Sequence, residues 1–360
     1  MNRISGIAVF IILLLSAANP EAAGQPSQKL TLLFAGDIMG HDSQIESALN
    51  MGNGLYDYSS CFRYVEPYIS RADIAIGNLE VTLAGPPYKG YPAFSSPDEL
   101  AEALKKTGFD ILVNANNHSL DRRSKGLERT LDVLDTTGLI QTGVFRDALE
   151  RRLRYPLIVE KNRIRLALLN YTYGTNGIPV TPPNIVNYID TTEIKNDFRK
   201  AATAEPDFTI VLMHWGLEYQ LTENSSQIEL AKFLFKNGAD AIIGSHPHVV
   251  QPIRKIEGGK LVVYSLGNMI SNQRKRYSDG GILVELTLEK SDSTRITDYS
   301  YLPVWVHKPV TEKGTAFSLV PATMDSLSLE QLNFTQVDLQ QMNIFLDDTR
   351  GNLKGVKELR

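Results

Sequence analysis

Apolar residues recur along this chain in short blocks, and small polar clusters follow several of them. Residues 30–34 form the first block, with a turn signal behind them, and predict a strand. Spaced apolar positions then predict helices around 43–50 and 59–70, and residues 73–76 read as a second, buried strand. A loop carrying Pro86-Pro87 and Gly90-Tyr91-Pro92 follows. Ser96-Pro97-Asp98-Glu99 supplies an N-cap and a proline at the first helical position, so a helix should run from there to Gly108. Residues 109–113 predict a third strand and 123–137 the next helix. Residues 155–159 and 164–170 read as a hairpin around Lys161-Asn162. The stretch 171–190 is rich in proline and poor in charge, and should be a loop near the functional site.

Helix 191–203, strand 207–213, helix 225–237 and strand 240–244 continue the alternation of a mostly parallel sheet. The rhythm then changes, and 249–256, 260–264, 281–289 and 297–306 predict consecutive strands joined by turns. Residues 326–347 read as helical. Helices packed on a sheet that begins parallel and ends as a meander predict a layered α/β sandwich with mixed sheets, not an open Rossmann sheet. The main domain is expected over 29–310, with 311–360 as a C-terminal helical extension.

The polar clusters carry the chemistry. They are Gly36-Asp37-Ile38-Met39-Gly40-His41, Gly77-Asn78-Leu79-Glu80, Asn116-Asn117-His118, His214-Trp215-Gly216-Leu217-Glu218 and Gly244-Ser245-His246-Pro247-His248. Strands that end together deliver such residues to one crevice. Imidazole, carboxylate and amide oxygen form a ligand set for one or two divalent metals such as Mn, Fe or Zn. Asp37, Asn117, His214, His246 and His248 are the candidate ligands, with Glu80 and His41 contributing. In an extended segment residues i and i+2 point the same way, so His246 and His248 should face one crevice. The amide of Asn117 can ligate metal while His118, oriented by Asp121, serves as general acid. His307, in a late strand, reads as structural.

Composition narrows the class. Hydrophobic content of 42% and charged content of 22% are ordinary globular values. A net charge of -4 argues against a broad basic surface, so no nucleic-acid partner is expected. The runs Arg151-Arg152-Leu153-Arg154 and Arg274-Lys275-Arg276 read as solvated faces. Arg3, the apolar stretch 4–18 and Ser16-Ala17-Ala18 fit an export signal or a retained N-terminal anchor over 1–18, which predicts an exported, periplasmic or cell-surface protein. Cys61 is the only cysteine, so no intrachain disulfide forms, and it reads as a small buried hydrophobe.

Taken together with Tyr264-Ser265-Leu266-Gly267-Asn268, these motifs resemble the capsule and poly-γ-glutamate synthesis protein CapA (PgsA) family, relatives of the calcineurin-like metallophosphatases. The resemblance covers roughly residues 29–272. It implies a four-layer αββα sandwich with a dinuclear metal site at one edge. Carried over motif by motif, Asp37 matches the first metal-binding aspartate, Asn117 the asparagine ligand and His118 the catalytic histidine. His214 matches the lone histidine ligand, and His246 and His248 the closing pair. The sequence departs from the phosphatase pattern at Met39, where that pattern has histidine, and at Asn78, where it has a bridging aspartate. The resemblance implies a metal-dependent hydrolase or transferase of capsule or poly-γ-glutamate synthesis, acting on a phosphoester or a γ-glutamyl amide. Its partners would be an anionic polymer or envelope substrate and a membrane-bound polymer synthase. The other reading is a non-catalytic component of polymer assembly or export that keeps the fold.

Overall fold

The computed structural model describes residues 28–49, 53–312 and 314–359; the export segment expected at 1–18 lies outside the described residues. Two mixed sheets dominate. In the nine-stranded sheet the path runs Ser318–Pro321, Thr294–His307, Gly280–Lys290, Gln28–Ile38, Ile74–Leu79, Ile111–Val113, Ile140–Thr142. Asn268–Ile270 joins it parallel to the end of Gln28–Ile38, and Lys357–Glu358 pairs with Thr294–His307. The six-stranded sheet runs Ile253–Ile256, Lys260–Val263, Ala241–Ser245, Phe208–His214, Ile164–Thr172, Leu157–Lys161.

The period-two alternation of each strand decides what it touches. Leu30, Leu32 and Phe34 point between the sheets and meet Ile210, Leu212 and Ile243 from the other sheet. Leu33 and Ala35, on the opposite face, pack with Phe62, Leu100 and Leu104 from the helices. On the second sheet Ala167, Leu169, Val211 and Met213 turn outward onto Ile194, Phe198 and Leu234. The order is helices, sheet, sheet, helices. Phe34 is fully buried between the sheets, and truncating it to alanine should cost about 3–5 kcal/mol. Among the described residues no helix is long and apolar enough to cross a membrane.

Helix Ser225–Asn237 begins at a capping box made by Asn224 and Gln227 and stops at Gly238, whose φ of 118° suits glycine. Helices Glu99–Thr107 and Arg123–Thr137 also stop at glycine in the left-handed region. The helix expected over 59–70 is instead two single turns, Ser59–Phe62 and Glu66–Ile69. Pro67 has no N–H to bond the carbonyl four residues back, so one continuous helix cannot pass it. The strand expected over 249–256 shrinks to Ile253–Ile256, because Pro252 cannot donate to the ladder. Strands Ile140–Thr142 and Asn268–Ile270 and helix Ala148–Arg154 were not legible as periodic blocks.

The C-terminal part differs most from expectation. It is not a helical appendage, since Ser318–Pro321 and Lys357–Glu358 are strands of the large sheet. Thr294–His307 is long enough to leave edge groups unpaired, and these late strands satisfy them. Helix Gln336–Asn352 packs Met342, Phe345 and Leu346 onto Trp305 and Val320 of the same sheet.

Candidate metal centre

The carboxyl ends of strands from both sheets converge on one edge. Asp37 is the penultimate residue of Gln28–Ile38, Asn78 the penultimate residue of Ile74–Leu79, and His214 the last of Phe208–His214. Glu80, Asn117 and His246 lie just beyond strand ends. Gly36 allows this geometry. A Cβ there would sit 2.0 Å from the Gly267 carbonyl oxygen, which accepts the Asp37 main-chain N–H at 3.0 Å.

Asp37 is fully buried. Its Oδ1 accepts from the Asn78 side-chain amide at 2.7 Å. Its Oδ2 lies 3.1 Å from His248 Nδ1 and accepts the His246 main-chain N–H at 3.3 Å. Glu80 is equally buried, and among the described residues neither of its carboxylate oxygens has a hydrogen-bond partner. Its Oε1 is 3.5 Å from His214 Nε2 and 3.9 Å from His248 Nε2. Asp37, Glu80 and His214 form one group whose ligand atoms lie within 4.8 Å of one another; Glu80, His246 and His248 form a second. Glu80 belongs to both.

The electrostatics follow from burial. Burial, and then the charge of Asp37, push the Glu80 carboxyl well above its ordinary range. Burial would raise Asp37 as well, but hydrogen bonds to His248 and Asn78 hold it below. Burial, then the neighbouring imidazoles, hold His214 well below its usual range. Burial and His248 push His246 down to about 3. Neutral imidazoles with free lone pairs are the form that binds metal. A buried carboxylate with no donor and no cation is expensive, and the Nδ1 of His246 is also without a partner. Orphaned oxygen and nitrogen donors crowded this closely suit a divalent cation.

Beside the cluster, His118 Nδ1 lies 2.7 Å from Asp121 Oδ2, with both side chains buried. Asp121 is itself fixed, accepting the Phe94 main-chain N–H at 2.8 Å. The Phe94 ring meets the His118 ring edge-on at 4.7 Å. This arrangement commits Nδ1 and leaves Nε2 for chemistry. Asn117 donates its side-chain N–H to Asn176 at 3.1 Å, which turns its Oδ1 to within 2.6 Å of His214 Nε2. Asn78 links Asp37 to His214, whose Nδ1 is 3.3 Å away.

Two expected geometries are replaced. His246 and His248 do not lie in an extended segment, for their φ values are 101° and 57°. The chain turns at Pro247, whose carbonyl accepts from Tyr219, and side chains held in that region cost roughly 1–3 kcal/mol each. Asn117 and His118 occupy a turn rather than a strand, closed by the bond from His118 N–H to Asn116 Oδ1 at 3.1 Å. His41 belongs to neither group of donors. It caps helix Asp42–Ala48, with Nδ1 3.1 Å from Gln44 Oε1, and accepts the Asn272 main-chain N–H at 3.2 Å. Cys61 is buried, and its thiol is pushed up to about 12.

Sequence reasoning passed over Asn268, Asn176, Tyr173 and Tyr219. Asn268 pairs in register with Asp37, and its Oδ1 lies 3.1 Å from His248 Nδ1; it stood at the end of a quoted motif without a role. Tyr173 (ring 4.5 Å from His246) and Asn176 lie in the loop expected near the site. Tyr219, 6.1 Å from His248, ends the motif that begins at His214 and was given no role of its own.

Two mixed sheets between helices, with imidazoles, carboxylates and amides gathered at one edge, define a layered α/β sandwich with a candidate metal site. Among solved structures, NAD nucleotidase (NadN) of Haemophilus influenzae shares the fold, with a TM-score of 0.50 at 15% identity, over 91% of this chain and 64% of that one. Residues 31–273 match the family described as bacterial capsule synthesis protein PGA_cap, and the chain belongs to that family. It is similar to the capsule biosynthesis protein CapA of Bacillus anthracis, 29% identical over 327 residues, covering 85% of this chain and 76% of the relative. It is also similar to the PGA biosynthesis protein CapA of Bacillus subtilis (strain 168), 27% identical over 301 residues, covering 81% and 76%.

Proposed function

We propose that this protein is a metal-dependent hydrolase or transferase of capsule or poly-γ-glutamate biosynthesis, exported and working at the cell envelope. Membership of the capsule synthesis family and similarity to the two CapA proteins support the biological setting. The observation that carries the chemistry is Glu80, a buried carboxylate without a donor, shared by two groups of metal-suited side chains. Asp37, Glu80, Asn117, His214, His246 and His248 would hold one or two ions of Mn, Fe or Zn. A divalent cation bound there supplies Lewis acidity toward a phosphoryl or acyl oxygen. Asn78 holds Asp37 by its amide and keeps His214 in place. His118, oriented by Asp121, delivers a proton from Nε2 to the leaving group. The substrate is an anionic envelope polymer or its precursor, and a membrane-bound synthase is the natural partner.

Elemental analysis of the purified protein tests this. About one or two transition-metal ions per chain are expected, lost when Glu80→Gln removes the shared carboxylate. Wild-type protein that retains no metal would overturn the reading. Bound metal without turnover on phosphoester or γ-glutamyl substrates would leave a non-catalytic role in polymer assembly.

A further inference from the structure

Residues 173–184 join strand Ile164–Thr172 to strand Ile185–Val186, and the first of them lie against the metal cluster. Tyr173 donates its main-chain N–H to the His214 carbonyl at 3.1 Å, and its ring stacks parallel to the His214 ring at 6.2 Å. The chain then reverses over residues 175–178, where the Ile178 N–H donates to the Thr175 carbonyl at 2.9 Å. Asn176 and Gly177 are both left-handed, with φ of 51° and 73°. Two positive φ values in succession make a type I′ turn, and Asn-Gly is its preferred pair. The Thr175 hydroxyl fastens the turn, donating to the Ile178 carbonyl at 2.6 Å and lying 2.7 Å from the Tyr188 hydroxyl.

Turn geometry accounts for the backbone at Asn176, but not for where its side chain goes. Asn176 is exposed, yet its Oδ1 accepts from the side-chain amide of the buried Asn117 at 3.1 Å. Its Nδ2 lies 3.5 Å from His118 Nδ1. One exposed residue therefore reaches both a candidate ligand and the candidate acid.

The contact with Asn117 has a chemical consequence. A carboxamide is nearly symmetric in shape, but only its oxygen offers lone pairs to a cation, while its NH2 group is all donor. Hydrogen bonds decide which end faces the cluster. On the inner side the Asn117 oxygen is 2.6 Å from His214 Nε2. That nitrogen has no proton to give when it serves as a ligand. Among the described residues, the bond to Asn176 is then the one left to hold the Asn117 oxygen inward.

We propose that Asn176 is a positioning residue for the metal centre: it holds the Asn117 carboxamide oxygen-inward and so sets the affinity for the ion on the His214 side. Partners that orient a ligand in this way typically govern about 10–100-fold in metal affinity. The inference rests on the metal reading above, and adds to it a residue that belongs to neither donor group.

Two substitutions separate this role from the needs of the turn. Asn176→Gly suits the left-handed backbone but removes the acceptor, whereas Asn176→Asp keeps an acceptor in place and tolerates the same φ. Metal-stripped full-length protein is titrated with Mn and with Zn against a chromogenic chelator. Asn176→Gly should weaken one binding step roughly 10–100-fold, and Asn176→Asp should bind at least as tightly as the wild type. Both variants, free of metal, should melt with the wild type. Asn117→Ala should reproduce the loss, and adding Asn176→Gly to it should cost nothing further, because the two side chains act as one unit. Wild-type affinity in Asn176→Gly, equal losses in Asn176→Gly and Asn176→Asp, or additive losses in the double variant would each overturn the assignment and leave the metal centre standing. Wild-type protein that takes up neither Mn nor Zn would overturn the metal reading itself, and this inference with it.

Discussion

Asn117 and His118 are adjacent in sequence yet serve different neighbours, because a turn sends their side chains apart. The Asn117 amide oxygen faces His214, whereas His118 is anchored on Asp121 beneath Phe94. Substituting His118 should therefore remove a proton donor without emptying the cluster. We expect His118→Ala to lower turnover by roughly 10²–10⁴-fold with metal retained. His246→Ala should strip the metal, since His246 shares a donor group with Glu80 and His248. Parallel elemental analysis and rate measurements check this, and equal metal loss in both variants would refute the division of roles. Glu80 itself was legible only as one carboxylate among strand-end polar residues. Its lack of any donor is a tertiary fact.

At the scale of elements, the C-terminal helix is docked through an unusual ring. His307 is buried, stacked 3.8 Å from Phe334, and among the described residues neither ring nitrogen has a hydrogen-bond partner. Burial holds it below its ordinary range, against the raising influence of Asp338, whose carboxylate is 3.7 Å away; Arg274 lowers it further. The folded protein thus binds fewer protons at this site than the unfolded chain. Stability from this group is full above about pH 6.5 and falls as pH drops below it. His307→Phe should flatten that part of the thermal-melting profile, and an unchanged slope would argue against it. Reading His307 as structural needed only its place in an apolar strand. The docking helix beside it needed the third dimension, because its apolar residues meet Trp305 and Val320 rather than each other.

For the molecule as a whole, the cluster joins two sheets that also meet through apolar packing and through polar contacts such as the Lys290–Asp207 ion pair. Asp37, Asn78 and Glu80 come from the nine-stranded sheet and its loops; His214, His246 and His248 come from the six-stranded one. A metal bound across them stabilises the folded state in proportion to its affinity. Chelation of the loaded protein should lower its melting temperature, and readdition of Mn, Fe or Zn should restore it. The stabilisation is about 2.7 kcal/mol at free metal 100-fold above its dissociation constant. Scanning calorimetry with and without chelator measures it, and identical melting curves would count against a metal that bridges the sheets.

The sequence by itself determined most of the longer strands and helices, since period-two and helical spacing, caps and stop glycines act within a few residues of one another. It also determined which polar residues follow apolar strands, and these are the residues that collect at the sheet edge. Tertiary structure decided the rest. The left-handed turn at His246 and His248 depends on where Pro247 meets Tyr219. The merging of residues beyond 311 into the large sheet depends on unpaired edge groups of Thr294–His307. The exclusion of His41 from the donor groups follows from its contacts with Gln44 and Asn272. Each of these outcomes is set by groups distant in sequence, and local pattern carries no information about which distant group arrives.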